Sequence, residues 1–114
     1  MVEYTLNTLQ LDSIFGSLAD PTRRDILKRI SHKELSISDI AEPYPLTFAA
    51  ISKHLQILEK AKLIIKRRQG KQQLVHASPT TLKEATEYLK TYEKLWNDRL
   101  DSLEQYLSSL PPSP

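Results

Sequence analysis

From Leu82 to Leu110 the chain places an apolar or aromatic residue at alternating steps of three and four, with a single exception. The positions are Leu82, Ala85, Leu89, Tyr92, Trp96, Arg99, Leu103, Tyr106 and Leu110, and only Arg99 breaks the pattern. That spacing is one face of an α-helix. Ser78-Pro79 supplies its start, a capping hydroxyl followed by a proline that lacks the orphan donor. Unbroken from 79 to 110, such a helix spans roughly 48 Å at ~1.5 Å per residue. A chain of 114 residues is the size of one ordinary domain, and no single core of that size covers the stripe end to end. The stripe therefore demands pairing with a helix of a second chain, or a break that folds it back. Composition agrees: 39% of the residues are hydrophobic but only two are Phe and one is Trp, a thin core that a second copy can complete.

Upstream the chain reads as a series of short helices. Leu11, Ile14, Phe15 and Leu18 line one face of a helix over Leu9–Leu18. Asp20-Pro21 restarts the backbone as a second helix, which continues through Ile26, Leu27 and Ile30. Ser36-Ile-Ser-Asp39 is a capping-box variant opening a short helix around Ile37, Ile40 and Ala41. Pro43-Tyr-Pro45 ends it. Thr47 caps a fourth helix, with Leu46 and Ile51 placed to form a hydrophobic staple across the cap. Along that helix Ile51, Leu55 and Leu58 share one face, and Ala49, Ser52, Lys53 and Gln56 share the opposite one. The period then changes. Residues 64–68 and 71–77 are two short strands, with Gln69-Gly70 at the tip, where glycine tolerates positive φ. The tail Pro111–Pro114 is expected to be disordered, leaving residues 1–110 as one domain.

The net charge of +2 hides a strong asymmetry. Residues 1–45 carry five Lys or Arg against seven Asp or Glu, and residues 78–114 carry four against six. Residues 46–77 carry seven against the single Glu59, a balance of +6. A basic middle third between two mildly acidic ones is the electrostatic footprint of a polyanion site. A solvated charged face is the plainer account of any one such run. Here, however, the helix with the polar, acid-poor outer face directly precedes the basic hairpin.

Helix, helix, helix–turn–helix, basic hairpin and long helix make the plan of a winged helix: mainly α with a small β-hairpin, five helices in all. In that plan the second helix of the helix–turn–helix enters the major groove of double-stranded DNA. Thr47, Phe48, Ala49, Ser52, Lys53 and Gln56 are then the candidates for groove contact. Lys53 suits guanine or phosphate, Gln56 adenine, and Ala49 a thymine methyl; Phe48 has a second option, filling the core beneath the turn. Arg67, Arg68, Gln69, Lys71 and Gln72 are candidate wing contacts to phosphate or minor groove. Leu11 and Ile14, with Leu89, Tyr92, Trp96 and Leu103, are candidate dimer contacts. Arg23 and Arg24 stand in the first turn of their helix, where the dipole disfavours cations; a phosphate or a carboxylate nearby would each offset this.

These segments also resemble the ArsR-type winged-helix repressors. The matching words are LADPTRRDILKRI (18–30), LSISDIAE (35–42), AAISKHLQILEKAKLI (49–64) and KRRQGKQQ (66–73), and residues 78–107 resemble the closing helix of one branch of that family. The resemblance implies a dimeric prokaryotic regulator, usually a repressor, paired through its first and last helices on a near-palindromic operator. The departures are informative. Metal-sensing members carry two cysteines in the segment where this chain has Ser36 and Ser38, and hydroxyls are poor ligands for soft metals. A second metal site of the family uses Asp and His on the last helix, yet residues 79–110 contain no histidine. Lys62 stands where the family commonly has glycine, so that helix end is expected to be strained or differently closed.

Other function classes recede. The chain has no cysteine, which excludes disulfides, thiolate zinc sites and a cysteine nucleophile. His32, His54 and His76 are too dispersed for a metal cluster, and no metal or cofactor is expected. Two glycines cannot build a phosphate loop, and there is no nucleophile–base word, so the chain does not read as an enzyme. No apolar run reaches ~20 residues and the start is unlike a secretory signal, which favours a cytoplasmic protein with no membrane contact. Two readings compete with a DNA-binding repressor: a ligand- or metal-responsive sensor on the same scaffold, for which a small apolar pocket between paired last helices is the sharper form, and a winged helix kept for protein–protein contact.

Overall fold

The computed structural model describes residues 8–112. Its elements are α1 (Thr8–Ser17), α2 (Pro21–His32), β1 (Leu35–Ser36), α3 (Ile37–Ala41), α4 (Phe48–Lys60), β2 (Ile64–Gln69), β3 (Gln72–Ala77) and α5 (Pro79–Ser109). Each helix start foreseen from a capping residue is one. Asp20 accepts from the Arg23 N–H, Ser36 from Asp39, Thr47 from Ala50 and Ser78 from Thr81. These bonds satisfy donors that the first helical turn otherwise leaves unpaired.

The sheet has three antiparallel strands in the order β1-β3-β2, one more than the hairpin the sequence suggests. The extra strand is two residues long. Leu35 pairs with Val75 and Ser36 with Leu74, a register that exists only once β3 lies alongside. The hairpin turn also sits one residue later than expected. Gln69 pairs with Gln72, so the two loop residues are Gly70 and Lys71. Gly70 has φ of 63° and Lys71 is not left-handed, the arrangement of a type II′ turn with glycine first.

The core is aliphatic. Ile14, Ile26, Ile40, Ile51, Leu55, Leu58, Leu63 and Val75 are completely enclosed, and they come from α1, α2, α3, α4, the α4–β2 link and β3. Ile14 thus has no surface left for a second chain, which corrects its assignment to the dimer contact. Helical spacing shows that α1 has an apolar face, but not whose core that face meets. Leu11 packs partly buried against the same core. Leu46 is largely exposed while Ile51 is fully buried, so core packing rather than a sealed staple anchors the start of α4. The bulkiest apolar side chains are all outside: Phe15, Phe48 and Trp96 are exposed.

α5 is one unbroken helix of 31 residues, and the fold-back alternative does not occur. Only Thr81 and Ala85 of it are buried. Leu82 packs partly buried against the core and Tyr88 against Phe15, and the helix beyond them projects from the body, giving extents of 73 × 39 × 21 Å and a radius of gyration of 20.0 Å, against roughly 13 Å for a compact chain of this length. Leu110 leaves the helix in extended conformation and Pro111 and Pro112 follow without regular structure; the remainder of the expected tail, Ser113 and Pro114, lies outside the described residues.

Candidate nucleic-acid interface

α3, the turn and α4 are held as a unit by α2. Arg29 donates from Nη1 to the Ile40 carbonyl at 2.9 Å and from Nη2 to the Asp39 carbonyl at 2.9 Å. A guanidinium therefore occupies the end of α3, where unpaired carbonyls accumulate. The same guanidinium lies 5.4 Å from the ring centroid of Tyr44, in cation–π range. The Tyr44 hydroxyl donates to Asp25. Partial burial, then the bond to Asp25, raise the Tyr44 pKa above its ordinary value. The middle residue of Pro43-Tyr44-Pro45 is thus pinned to α2 at two points, which fixes how α4 leaves the turn.

Arg23 and Arg24 resolve differently from either option left open by the sequence. Arg23 donates from Nε to the Ser17 carbonyl at 2.7 Å, and Arg24 from Nη1 to the Leu18 carbonyl at 2.8 Å. Both close the end of α1, so one helix's unpaired carbonyls absorb the cations that the next helix's dipole disfavours. Arg23 also reaches His54 Nδ1 at 3.2 Å. An arginine can only donate, so Nδ1 accepts and the ring hydrogen sits on Nε2. Asp20, whose pKa is lowered chiefly by the hydrogen bond from the Arg23 N–H, lies 4.0 Å from His54 Nδ1 and completes this joint between α2 and α4.

On the outer side of α4, Ala49, Ser52, Lys53 and Gln56 fall within a sector of about 100° at ~100° per residue. Lys53, Gln56 and Ala49 are exposed and Ser52 is half-buried. Phe48 is 65% exposed, so it does not fill the core. The Thr47 Oγ1 accepts from the Ala50 N–H at 3.1 Å, which leaves its hydroxyl hydrogen to donate outward. Lys60, which the sequence reading omitted, shares the sector and is exposed. The one acid of α4, Glu59, is matched by Lys66 of β2 at 3.4 Å. The outer face of the helix carries no unmatched negative charge.

The wing cations divide. Arg67 places Nε and Nη2 on the two oxygens of Glu34 at 2.8 and 2.6 Å, a bidentate pair. His76 on β3 donates from Nδ1 to the same carboxylate at 3.0 Å. Glu34 precedes β1, so this cluster ties the first strand to the other two on the outer face of the sheet. The Arg67 hydrogen bond is the main reason the Glu34 pKa is lowered, and Glu34 in turn raises that of Arg67. No sequence signal pointed to Glu34, which is 33 residues from Arg67. Arg68 and Lys71, by contrast, face solvent near the tip with Gln69 and Gln72. Among the described residues, no carboxylate lies in salt-bridge reach of Lys53, Arg68 or Lys71.

The arrangement offers an exposed helix face with hydrogen-bonding and cationic groups, continuous with a hairpin whose tip cations, Arg68 and Lys71, have no carboxylate partner among the described residues, Arg68 donating only to the Gly70 carbonyl at 3.3 Å. Known proteins are similar to this chain in sequence and in fold. A family model for a helix-turn-helix domain matches residues 18–67. HTH-type transcriptional regulator Rv2034 of Mycobacterium tuberculosis is 31% identical over 98 residues, covering 86% of this chain and 89% of that protein. A crystal structure of an ArsR family transcriptional regulator superposes with a TM-score of 0.74 at 30% identity, over 85% of this chain and 97% of that one. The chain belongs to the ArsR family of winged helix-turn-helix transcriptional regulators. Two further similarities extend the comparison. The transcriptional repressor SdpR of Bacillus subtilis is 29% identical over 72% of this chain and 91% of its own. An ArsR-like transcriptional regulator from Rhodococcus sp. RHA1 gives a TM-score of 0.72 at 28% identity, covering 90% and 96%. Within this ArsR chain, no three His, Asp or Glu side chains among the described residues are grouped to hold a metal ion. No helix among them is long and apolar enough to cross a membrane.

Proposed function

We propose that this ArsR-family chain is a sequence-specific, double-stranded-DNA-binding repressor that works as a homodimer in the cytoplasm, with residues 1–110 as its DNA-binding and dimerising unit. In this reading α4 enters the major groove. Thr47, Phe48, Ala49, Ser52, Lys53 and Gln56 face the bases and flanking phosphates, while Arg68, Lys71, Gln69 and Gln72 lie along the adjacent backbone. Arg67 contributes field rather than direct contact while Glu34 holds it. Dimerisation runs through Leu11 and the exposed α5 residues Leu89, Tyr92, Trp96 and Leu103. The observation that carries the reading is the carboxylate-free outer face of α4, continuous with the unpaired cations at the wing tip.

Selection of bound duplexes from a random pool tests it. The expected product is a near-palindrome whose half-sites are centred about 34–36 Å apart, one helical turn. Affinity for the selected site should fall steeply with salt, because each neutralised phosphate releases counterions. Equal affinity for selected and unselected duplexes would remove sequence-specific regulation from this assignment.

A further inference from the structure

We propose that the distal half of α5 joins two copies of this chain antiparallel and in one register, and that Arg99 of each copy selects that register by stacking on the partner's Trp96. This rests on the homodimer reading above and adds to it the direction, the alignment and the residue that enforces them.

Among the described residues, Phe15 reaches the start of this half of the helix, packing on Tyr88 with ring centroids 6.2 Å apart. From Glu87 to Ser109 every residue except Tyr88 is exposed, including Leu89 at 49%, Tyr92 at 49%, Trp96 at 66%, Leu103 at 52% and Tyr106 at 61%. Leu95, Leu100 and Leu107 are exposed beside them and widen the apolar face to about 140° at ~100° per residue. A face so long and wide is matched by an equally long helix with the same pattern. The described chain contains one such helix, so a second copy supplies the other.

The exception in the stripe decides the alignment. In seven-residue notation Leu89, Trp96 and Leu103 occupy the a positions, and Tyr92, Arg99 and Tyr106 the d positions. In a parallel pair like meets like, which sets Arg99 against Arg99 inside an apolar seam, two unpaired charges with nothing to offset their desolvation. In an antiparallel pair each a position faces a d position. One alignment sets Leu89 against Tyr106, Trp96 against Arg99 and Leu103 against Tyr92, and then repeats these layers by symmetry. Sliding one helix by seven residues in either direction sets Arg99 against a leucine and leaves part of the stripe without a partner. The first alignment alone gives the guanidinium an aromatic face, the geometry of a cation–π contact.

Two features of Arg99 agree with this role. Its helical neighbours three and four residues away are Leu95, Trp96, Ser102 and Leu103, none of them acidic, and among the described residues no carboxylate pairs with it. With Leu95 and Trp96 it borders a notch of about 280 Å³, open to receive a side chain from the facing helix.

The absence of cysteine makes the test direct. Leu89→Cys and Tyr106→Cys chains with different tags are mixed, equilibrated in a thiol–disulfide buffer and resolved by mass. The proposal expects the Leu89→Cys/Tyr106→Cys heterodisulfide to dominate. Adding Arg99→Leu to both chains should leave them dimeric by sedimentation but spread the cross-links over other pairings, including homodisulfides. Arg99→Gln should weaken dimerisation by about tenfold to a hundredfold, from two symmetric contacts. It should also shift the emission of Trp96, the only tryptophan, in the dimer and not in the dilute monomer. Homodisulfides from the parent pair would overturn the antiparallel alignment while leaving the dimer intact. Unchanged selectivity with Arg99→Leu would overturn the role of Arg99. A monomer by sedimentation at all concentrations would defeat the homodimer reading itself.

Discussion

Lys62 has φ of 61°, the only left-handed non-glycine residue among those described. It closes α4 in a Schellman arrangement, with the Leu63 N–H on the Leu58 carbonyl at 3.1 Å and the Lys62 N–H on Glu59 at 2.9 Å. Leu58 and Leu63, the two leucines this reversal brings together, are both fully buried. The helix end is therefore closed in the way glycine closes it, but with a side chain that resists the conformation. Lys62→Gly should stabilise the protein by about 0.5–1 kcal/mol, the left-handed penalty less the added freedom of glycine in the unfolded chain. A higher urea midpoint at unchanged slope is the expected result; a lower midpoint would mean that the aliphatic stem of Lys62 contributes more than its backbone costs.

At the scale of the element, the wing is a hairpin whose positive charges are not equivalent. Arg67→Ala should lower DNA affinity less than Arg68→Ala, because Arg67 gives two of its nitrogens to Glu34. Glu34→Gln should do the opposite of a damaging change and steepen the salt dependence by up to about one counterion as Arg67 is released. Titrations across a salt series separate these outcomes, and equal losses for the two arginines would show that Glu34 yields its partner to DNA at no cost. Much of this element was legible in the sequence. The change from helical to alternating period marks β2 and β3, and the starts of α2, α3, α4 and α5 each carry a capping residue. What was not legible depends on contacts between distant segments. β1 is strand only because Val75 and Leu74 lie beside it, Glu34 lies far from Arg67 in sequence, and Arg23 and Arg24 serve carbonyls of a preceding helix. The outer-face residues Ala49, Ser52, Lys53 and Gln56 of α4 follow from helical spacing alone, and the same spacing places Lys60 beside them.

For the whole molecule, the decisive fact is the imbalance between a small aliphatic core and a long uncovered helix. Ile14 and the stripe of α5 look alike as patterns, but among the described residues one is enclosed by the core and the other is left exposed. With the stripe as the joining face, folding and association become a single equilibrium, and the melting temperature should rise with protein concentration. Scans over a hundredfold concentration range read this directly; a constant value would mean that the α5 surface adds no stability by pairing. The same uncovered helix sets a dosage rule. Where chains are scarce enough to be mostly single, the number of joined pairs follows the square of the supply, so halving the supply leaves about a quarter of them. A promoter governed by such pairs responds more sharply to how much of the protein is made than any single-chain reader of the same affinity, with no small molecule needed to sharpen it.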